Sequence, residues 1–389
     1  MSPPPHRHTR LAAAAAGGVL LALIGASPAL ADSIRERQWH LDALQVTAAH
    51  KITQGAGVTV AVIDTGVRAD HRDLAGNILP GIDFRSAGTK GWVDTDGHGT
   101  SMAGLIAGHG HGGGHADGVM GIAPKAKVLP IRALNDDDLP SEKVPDAIVA
   151  AVRQHADVIS MSFTATPNDH LRSAIQQAID ADIVLVAGAG NRPGDVFLQY
   201  PAKYPGVVAV GATGRDGKVA PITVTGPEMA MVAPGVDIVS TGNTGEYRKA
   251  NGTSDATAIV AGAAALIRAE YPDLSAAEVV HRLTATATDK GAPGRDNDYG
   301  YGALNLTAAL TADVPATTGQ PSTAASDPAA SVGEPPSEAD RQAAPSTTTT
   351  ASTNWVAIST VVAVLIAVIL LIVGLPTWLI IRNRKTRRS

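Results

Sequence analysis

The run Asn251-Gly252-Thr253-Ser254-Asp255-Ala256-Thr257-Ala258 puts a serine at the opening of an alanine-rich stretch. Upstream come Asp64 in an Asp-Thr-Gly and His98 in a His-Gly-Thr, in that order. A carboxylate, an imidazole and a hydroxyl are the parts of a nucleophilic hydrolase. A serine hydroxyl is a weak nucleophile near neutral pH, so an imidazole has to take its proton, and a buried carboxylate has to hold that imidazole in the productive tautomer. The chain order Asp, His, Ser is one of the few by which unrelated folds assemble this geometry.

Each of the three groups needs an element to hold it. Asp64 closes the apolar run at 58–63, which predicts a buried strand with the carboxylate at its carboxyl end. His98 begins His-Gly-Thr-Ser-Met-Ala-Gly-Leu-Ile-Ala, a glycine-rich start to a helix of small residues. Ser254 likewise opens a helix, whose N-terminal donors and positive end then lie beside the nucleophile. Apolar runs at 58–63, 128–131, 158–161, 183–187 and 207–210 alternate with helical segments, which predicts an α/β fold with a parallel sheet covered on both faces.

The two ends of the chain carry a different signal. Arg7 and Arg10 precede an apolar run over 11–30, and Ala29-Leu30-Ala31 has the small-x-small form of a signal-peptidase site, so residues 1–31 read as a secretory signal peptide. Residues 355–381 hold no charge across 27 positions, about 40 Å of helix and enough for one transmembrane span. The tail at 382–389 has five basic residues and no acid, which places the C-terminus in the cytoplasm and the bulk of the chain outside, anchored in the cell membrane. Residues 313–354, rich in Pro, Thr, Ser and Ala and without an aromatic residue, read as a disordered stalk. What remains, 32–312, is long enough for one large core.

Composition narrows the chemistry and the partners. The absence of cysteine excludes disulfides, thiolate metal sites and a cysteine nucleophile. Setting aside the two arginines of the leader and the five bases of the tail leaves 24 basic residues against 36 acidic ones, a surface unsuited to nucleic acid. The glycine-rich stretch 110–114 has no lysine after it and is no phosphate loop.

The three motif environments together resemble the subtilisin-like serine proteases, the subtilases, from about Gln38 to Leu310. The likeness extends to Gly118-Val119-Met120-Gly121-Ile122-Ala123-Pro124 and to Val158-Ile159-Ser160-Met161-Ser162. It implies a three-layer fold, serine endopeptidase activity on protein or peptide substrates, and Asp64, His98 and Ser254 as the catalytic triad. It implies too that Asn191, ending Val186-Ala187-Gly188-Ala189-Gly190-Asn191, is the oxyanion-hole asparagine, and that Ser162, Phe163 and Thr164 bind substrate. Three positions depart from the family pattern. Ser162 to Ala165 stand where secreted subtilisins tend to have glycines, Ala258 replaces a usual proline, and Asp255 replaces a usual apolar residue. A carboxylate at 255 favours the imidazolium form of His98 and opposes charge on an oxyanion. His71 resembles a family loop residue and not the catalytic base.

A signal peptide, such a domain, a stalk and a C-terminal helix, with the opening Gln38-Trp39-His40-Leu41-Asp42-Ala43-Leu44, resemble the mycosins, subtilases of type VII secretion systems. This resemblance implies a membrane-anchored protease that acts on exported proteins and associates with a secretion complex. The alternative is a structural subunit of that complex whose protease activity is weak or dispensable. Residues 32–63 are too few for a folding propeptide and read as an extension packed on the protease. No cofactor is implied. Asp296-Asn297-Asp298 is a candidate for calcium and equally for a turn. His109, His111 and His115 could bind metal, although histidines in a glycine-rich loop are more often unanchored surface residues.

Overall fold

The computed structural model describes residues 33–134 and 142–315. The expected signal peptide, transmembrane span and cytoplasmic tail, and all but 313–315 of the expected stalk, lie outside the described residues. The chain divides into two units, Met1–Gln320 and Pro321–Ser389, and all described residues belong to the first. Among them, no helix is long and apolar enough to cross a membrane.

The strands are β1 Thr59–Asp64, β2 Ile82–Asp83, β3 His109–His111, β4 Asp117–Met120, β5 Lys127–Arg132, β6 Val158–Met161, β7 Val184–Gly188, β8 Val207–Thr213, β9 Met231–Pro234, β10 Ile238–Thr241 and β11 Tyr247–Ala250. The helices are α1 Ser33–Arg37, α2 Trp39–Ala43, α3 Val46–Ala49, α4 His98–Ala107, α5 Val144–Arg153, α6 Asp169–Asp180, α7 Thr253–Glu270, α8 Ala276–Ala285 and α9 Leu306–Thr311. Seven strands form one sheet in the order β2-β5-β1-β6-β7-β8-β9, and every neighbouring pair is parallel.

Period-two alternation divides each strand between two cores. Val60, Val62, Val184 and Val186 face the core that contains α4 and α7, while Ala61, Ile63, Leu185 and Ala187 face the one that contains α5 and α6. Both faces are buried, which is why the strands read as unbroken apolar runs. The five expected strands are all present, with ends moved by a few residues. The sheet gains β2 and β9 as its outer strands. Neither was legible, since β2 has two residues and β9 ends in a proline.

Helix α7 explains its own composition. Its residues from Ala256 to Ile267 are all buried, and a Cβ at Gly262 would stand 2.7 Å from that of Ile122. Only small side chains let a helix enclosed on all sides come this close to its neighbours. Ala258, at the proline position, is fully buried within the helix.

Arg35, Gln38, Trp39 and His50 tie the first described residues to the rest of the domain. Gln38 gives and takes hydrogen bonds at the backbone of Met120 (3.0 and 2.8 Å), and the Trp39 indole donates to the Val236 carbonyl at 3.0 Å. His40 is completely buried there with no hydrogen bond to either ring nitrogen, and burial pushes it down to about 3.

Strand order sets the position of the site. The chain leaves β1 for β5 on one side and later returns to β6 on the other, so a crevice opens at the carboxyl ends of β1 and β6. Asp64 ends β1, Ser162 follows β6, and Gly188 ends β7.

Candidate active site

Asp64 is 1% exposed and grips His98. Nδ1 of the ring lies 2.8 Å from Oδ1 and 3.0 Å from Oδ2. A carboxylate only accepts, so the proton of a neutral ring sits on Nδ1 and the lone pair on Nε2, the tautomer a general base requires. The Thr65 amide donates to Asp64 Oδ1 at 2.7 Å and fixes the carboxylate.

Two side chains that the sequence did not single out hold α4 in place. Asp94 accepts from the amides of Gly97 (2.8 Å) and Thr100 (2.9 Å), and from the Thr65 hydroxyl at 2.9 Å. Thr65 Oγ1 in turn accepts from the Gly99 amide at 3.0 Å. Helix-terminal donors that have no partner in the helix are thereby satisfied, and the acid complements the helix dipole. An Asp four residues before a helix-opening His was the available signal. Gly99 is required by contact, since a Cβ there would stand 2.1 Å from the Gly66 carbonyl oxygen and 3.0 Å from Asp64 Cβ.

Ser254 sits in the first turn of α7, which packs against α4. Its hydroxyl lies 3.2 Å from the Ser162 carbonyl, and Ser162 Oγ donates to the Ser254 carbonyl at 3.1 Å. Asn191 is held at both ends. Its backbone nitrogen donates to Asp195 Oδ2 at 2.8 Å, and its side-chain Oδ1 accepts from the Thr253 backbone amide at 3.0 Å. A backbone N–H can only donate, so Oδ1 must face Thr253 and Nδ2 is turned the other way. A Cβ on Gly252 would stand 3.6 Å from the Ser254 nitrogen and 3.7 Å from Asn191 Nδ2. The Ser254 nitrogen and the Asn191 side-chain amide thus lie close together near Gly252, with Asn191 Oδ1 at 3.8 Å from the same point, and the two nitrogens are donors of the kind an oxyanion needs.

The expected substrate residues come to the same place. Ser162, Phe163 and Thr164, with Gly188, Gly190, Asn191, Asp195, Thr253 and Ser254, line a cavity of about 160 Å³. Asp195 was not singled out, because an acid in a loop is common and only the fold brings it to the cavity.

Asp255 lies in the interior of the domain and not at its surface. Asp255 is 2% exposed, and its Oδ1 has no hydrogen-bond partner. Burial pushes its pKa up to about 6, with His98 and Arg248 pulling the other way. It therefore carries charge only above roughly that pH. The loop histidines are also better anchored than expected. His109 and His111 form β3, paired with β4, and His111 Nδ1 lies 2.6 Å from the buried Asp73. Asp296 is a turn organiser that accepts from the amides of Asp298 (2.8 Å), Tyr299 (2.7 Å) and Ala292 (2.9 Å), with its pKa lowered first by the bond from Tyr299. Among the described residues no cluster of three or more His, Asp or Glu could hold a metal ion.

A family model described as the subtilase family matches residues 55–302. The chain belongs to the subtilase family. This subtilase is 38% identical over 261 residues to subtilisin DY of Bacillus licheniformis, over 66% of this chain and 92% of the relative. It is 35% identical over 336 residues to mycosin-1 of Mycobacterium tuberculosis, over 71% of this chain and 74% of the relative. A crystal structure of MycP1 from Mycobacterium smegmatis matches with a TM-score of 0.64 at 32% identity, covering 73% of this chain and 87% of the other. A structure of MycP1 described as a serine protease and an essential component of the type VII (ESX-1) secretion system matches with a TM-score of 0.64 at 34% identity, over 73% and 90%. As a subtilase the chain is a serine endopeptidase, similar to the mycosins.

Proposed function

We propose that the chain is a membrane-anchored extracytoplasmic endopeptidase that hydrolyses peptide bonds of exported proteins and works with a type VII secretion system. The observation that carries the chemistry is the Asp64–His98 hydrogen bond at 2.8 Å, with Ser254 in the first turn of the helix that packs against the helix of His98. His98 Nε2 takes the Ser254 proton as Oγ attacks the scissile carbonyl. The new oxyanion is held between the Ser254 amide and Asn191 Nδ2, and His98 then protonates the leaving amine. Water attacks the acyl-enzyme by the same route in reverse order. The membrane and secretion parts of the reading are supported by the uncharged run at 355–381, the basic tail and the likeness to mycosin-1.

Comparing proteins exported by cells that carry wild-type or Ser254→Ala protein tests the substrate class. New N-termini present only with the wild type are expected. Identical exported proteins and identical termini would refute it. A second reading, a structural subunit with weak or dispensable activity, is favoured by Asp255, whose buried charge beside the nucleophile works against catalysis above about pH 6. Export that fails without the chain and recovers fully with Ser254→Ala would select it.

A further inference from the structure

We infer that the cavity beside Ser254 selects a lysine or arginine side chain on the acyl side of the cleaved bond, with Asp195 reading the charge. This rests on the protease reading above. A cavity of about 160 Å³ is about ten times the roughly 15 Å³ that one water needs, room for a single side chain. Its hydroxyls and amide, from Ser162, Thr164, Asn191 and Thr253, would be stripped of water by a large apolar group that gives nothing back. The aliphatic stem of a basic side chain can lie along the bare backbone at Gly188 and Gly190 and bring its own donors to the far end.

Asp195 is the one acid among the lining residues. Its Oδ2 already accepts from the Asn191 amide at 2.8 Å. Among the described residues no donor reaches Oδ1, and no lysine or arginine pairs with the carboxylate. The nearby Arg192 turns its Nε to the Thr223 carbonyl at 3.3 Å. Gly190 makes the arrangement possible, since a Cβ there, at φ +110°, would stand 2.9 Å from Asp195 Oδ2. A carboxylate at the cavity wall that no lysine or arginine of the chain pairs with is open to a charge-assisted hydrogen bond from a substrate cation. The same carboxylate holds the backbone of Asn191, so an unpaired charge at 195 also opposes the developing oxyanion. A basic substrate side chain relieves that opposition, and its advantage extends to kcat as well as KM.

The test uses the full-length protein in detergent and four peptides that differ only at this position, carrying Lys, Arg, Gln or Leu. A kcat/KM at least tenfold higher for Lys and Arg than for Gln and Leu is expected. In Asp195→Asn, which keeps an acceptor for the Asn191 amide, that ratio should fall to threefold or less. Benzamidine should protect the wild-type serine from a fluorophosphonate where neutral benzamide does not, a measurement that needs no variant. A wild type that labels and cleaves but ignores charge overturns this inference alone, as does a basic preference that survives in Asp195→Asn. A folded protein that neither labels nor cleaves any of the four overturns the protease reading and this inference with it.

Discussion

The Thr253 amide donates to Asn191 Oδ1 at 3.0 Å, and this one bond decides which end of the asparagine amide is offered to a substrate. The residue before the nucleophile therefore orients the second oxyanion donor, so both donors depend on the first turn of α7. Asn191→Ala is expected to lower kcat by about 100- to 1000-fold with little change in KM. Steady-state kinetics on one peptide would check it. A loss confined to KM would mean that the amide binds the ground state as strongly as the transition state.

Gly252 has an extended backbone, φ 174°, so alanine fits there without strain. The methyl group would nonetheless stand 3.6 Å from the Ser254 nitrogen, inside the space between the two donors. Gly252→Ala should fold with a Tm within a few degrees of the wild type and lose at least tenfold in kcat. Gly99→Ala should do worse on both counts. Its Cβ would stand 2.1 Å from a backbone oxygen, and displacement of His98 by about 1 Å can cost on the order of 100-fold. Thermal melts and kinetics on the two variants separate these cases.

The catalytic groups were legible because each lies in a short motif whose neighbours do physical work. Gly99 lets α4 approach Asp64, and the small residues of α7 let it pass under the sheet. Asp94, Asp195 and Asp255 were harder to read. An acid just before a helix, in a loop or in a first helical turn is an ordinary choice for an exposed residue. Asp94 and Asp195 gain their roles from partners distant in sequence, Thr65 and the cavity lining. Asp255 differs from a surface acid only because α7 is enclosed on all sides. The outer strands β2 and β9 escaped notice for a related reason, since their place is set by β5 and β8 and their own residues carry little pattern.

Asp255 makes stability fall with rising pH. Its folded value of about 6 lies above the ordinary 3.8, so between those values the native state holds a proton that the unfolded chain has released, and each pH unit costs the fold up to about 1.4 kcal/mol. Asp255→Asn should therefore raise Tm at pH 8 by several degrees, with the gain fading by pH 4. It should also move the acid limb of kcat/KM to lower pH, since a negative charge beside His98 favours the imidazolium form. A Tm difference independent of pH, or an acid limb that moves alkaline, would contradict this account of the carboxylate.

His40 acts in the opposite direction. Burial holds it at about 3 against an ordinary 6.5, so the unfolded chain binds a proton that the native ring refuses, and stability is lost as pH falls below about 6.5. His40→Leu removes two buried ring nitrogens without partners and should be neutral or stabilising at pH 8, with a clear gain in Tm at pH 5. Equal Tm differences at the two pH values would show that the ring is protonated alike in both states.

The central claim is that Ser254 is a nucleophile activated by His98 and Asp64. The most direct measurement is covalent labelling of the folded full-length protein with a fluorophosphonate, followed by mapping of the modified residue. The account predicts one adduct, on Ser254, that is lost in Ser254→Ala and strongly slowed in both His98→Ala and Asp64→Ala, with the double variant little slower than either single one. An adduct that persists in Ser254→Ala, or a labelling rate indifferent to His98, would contradict it.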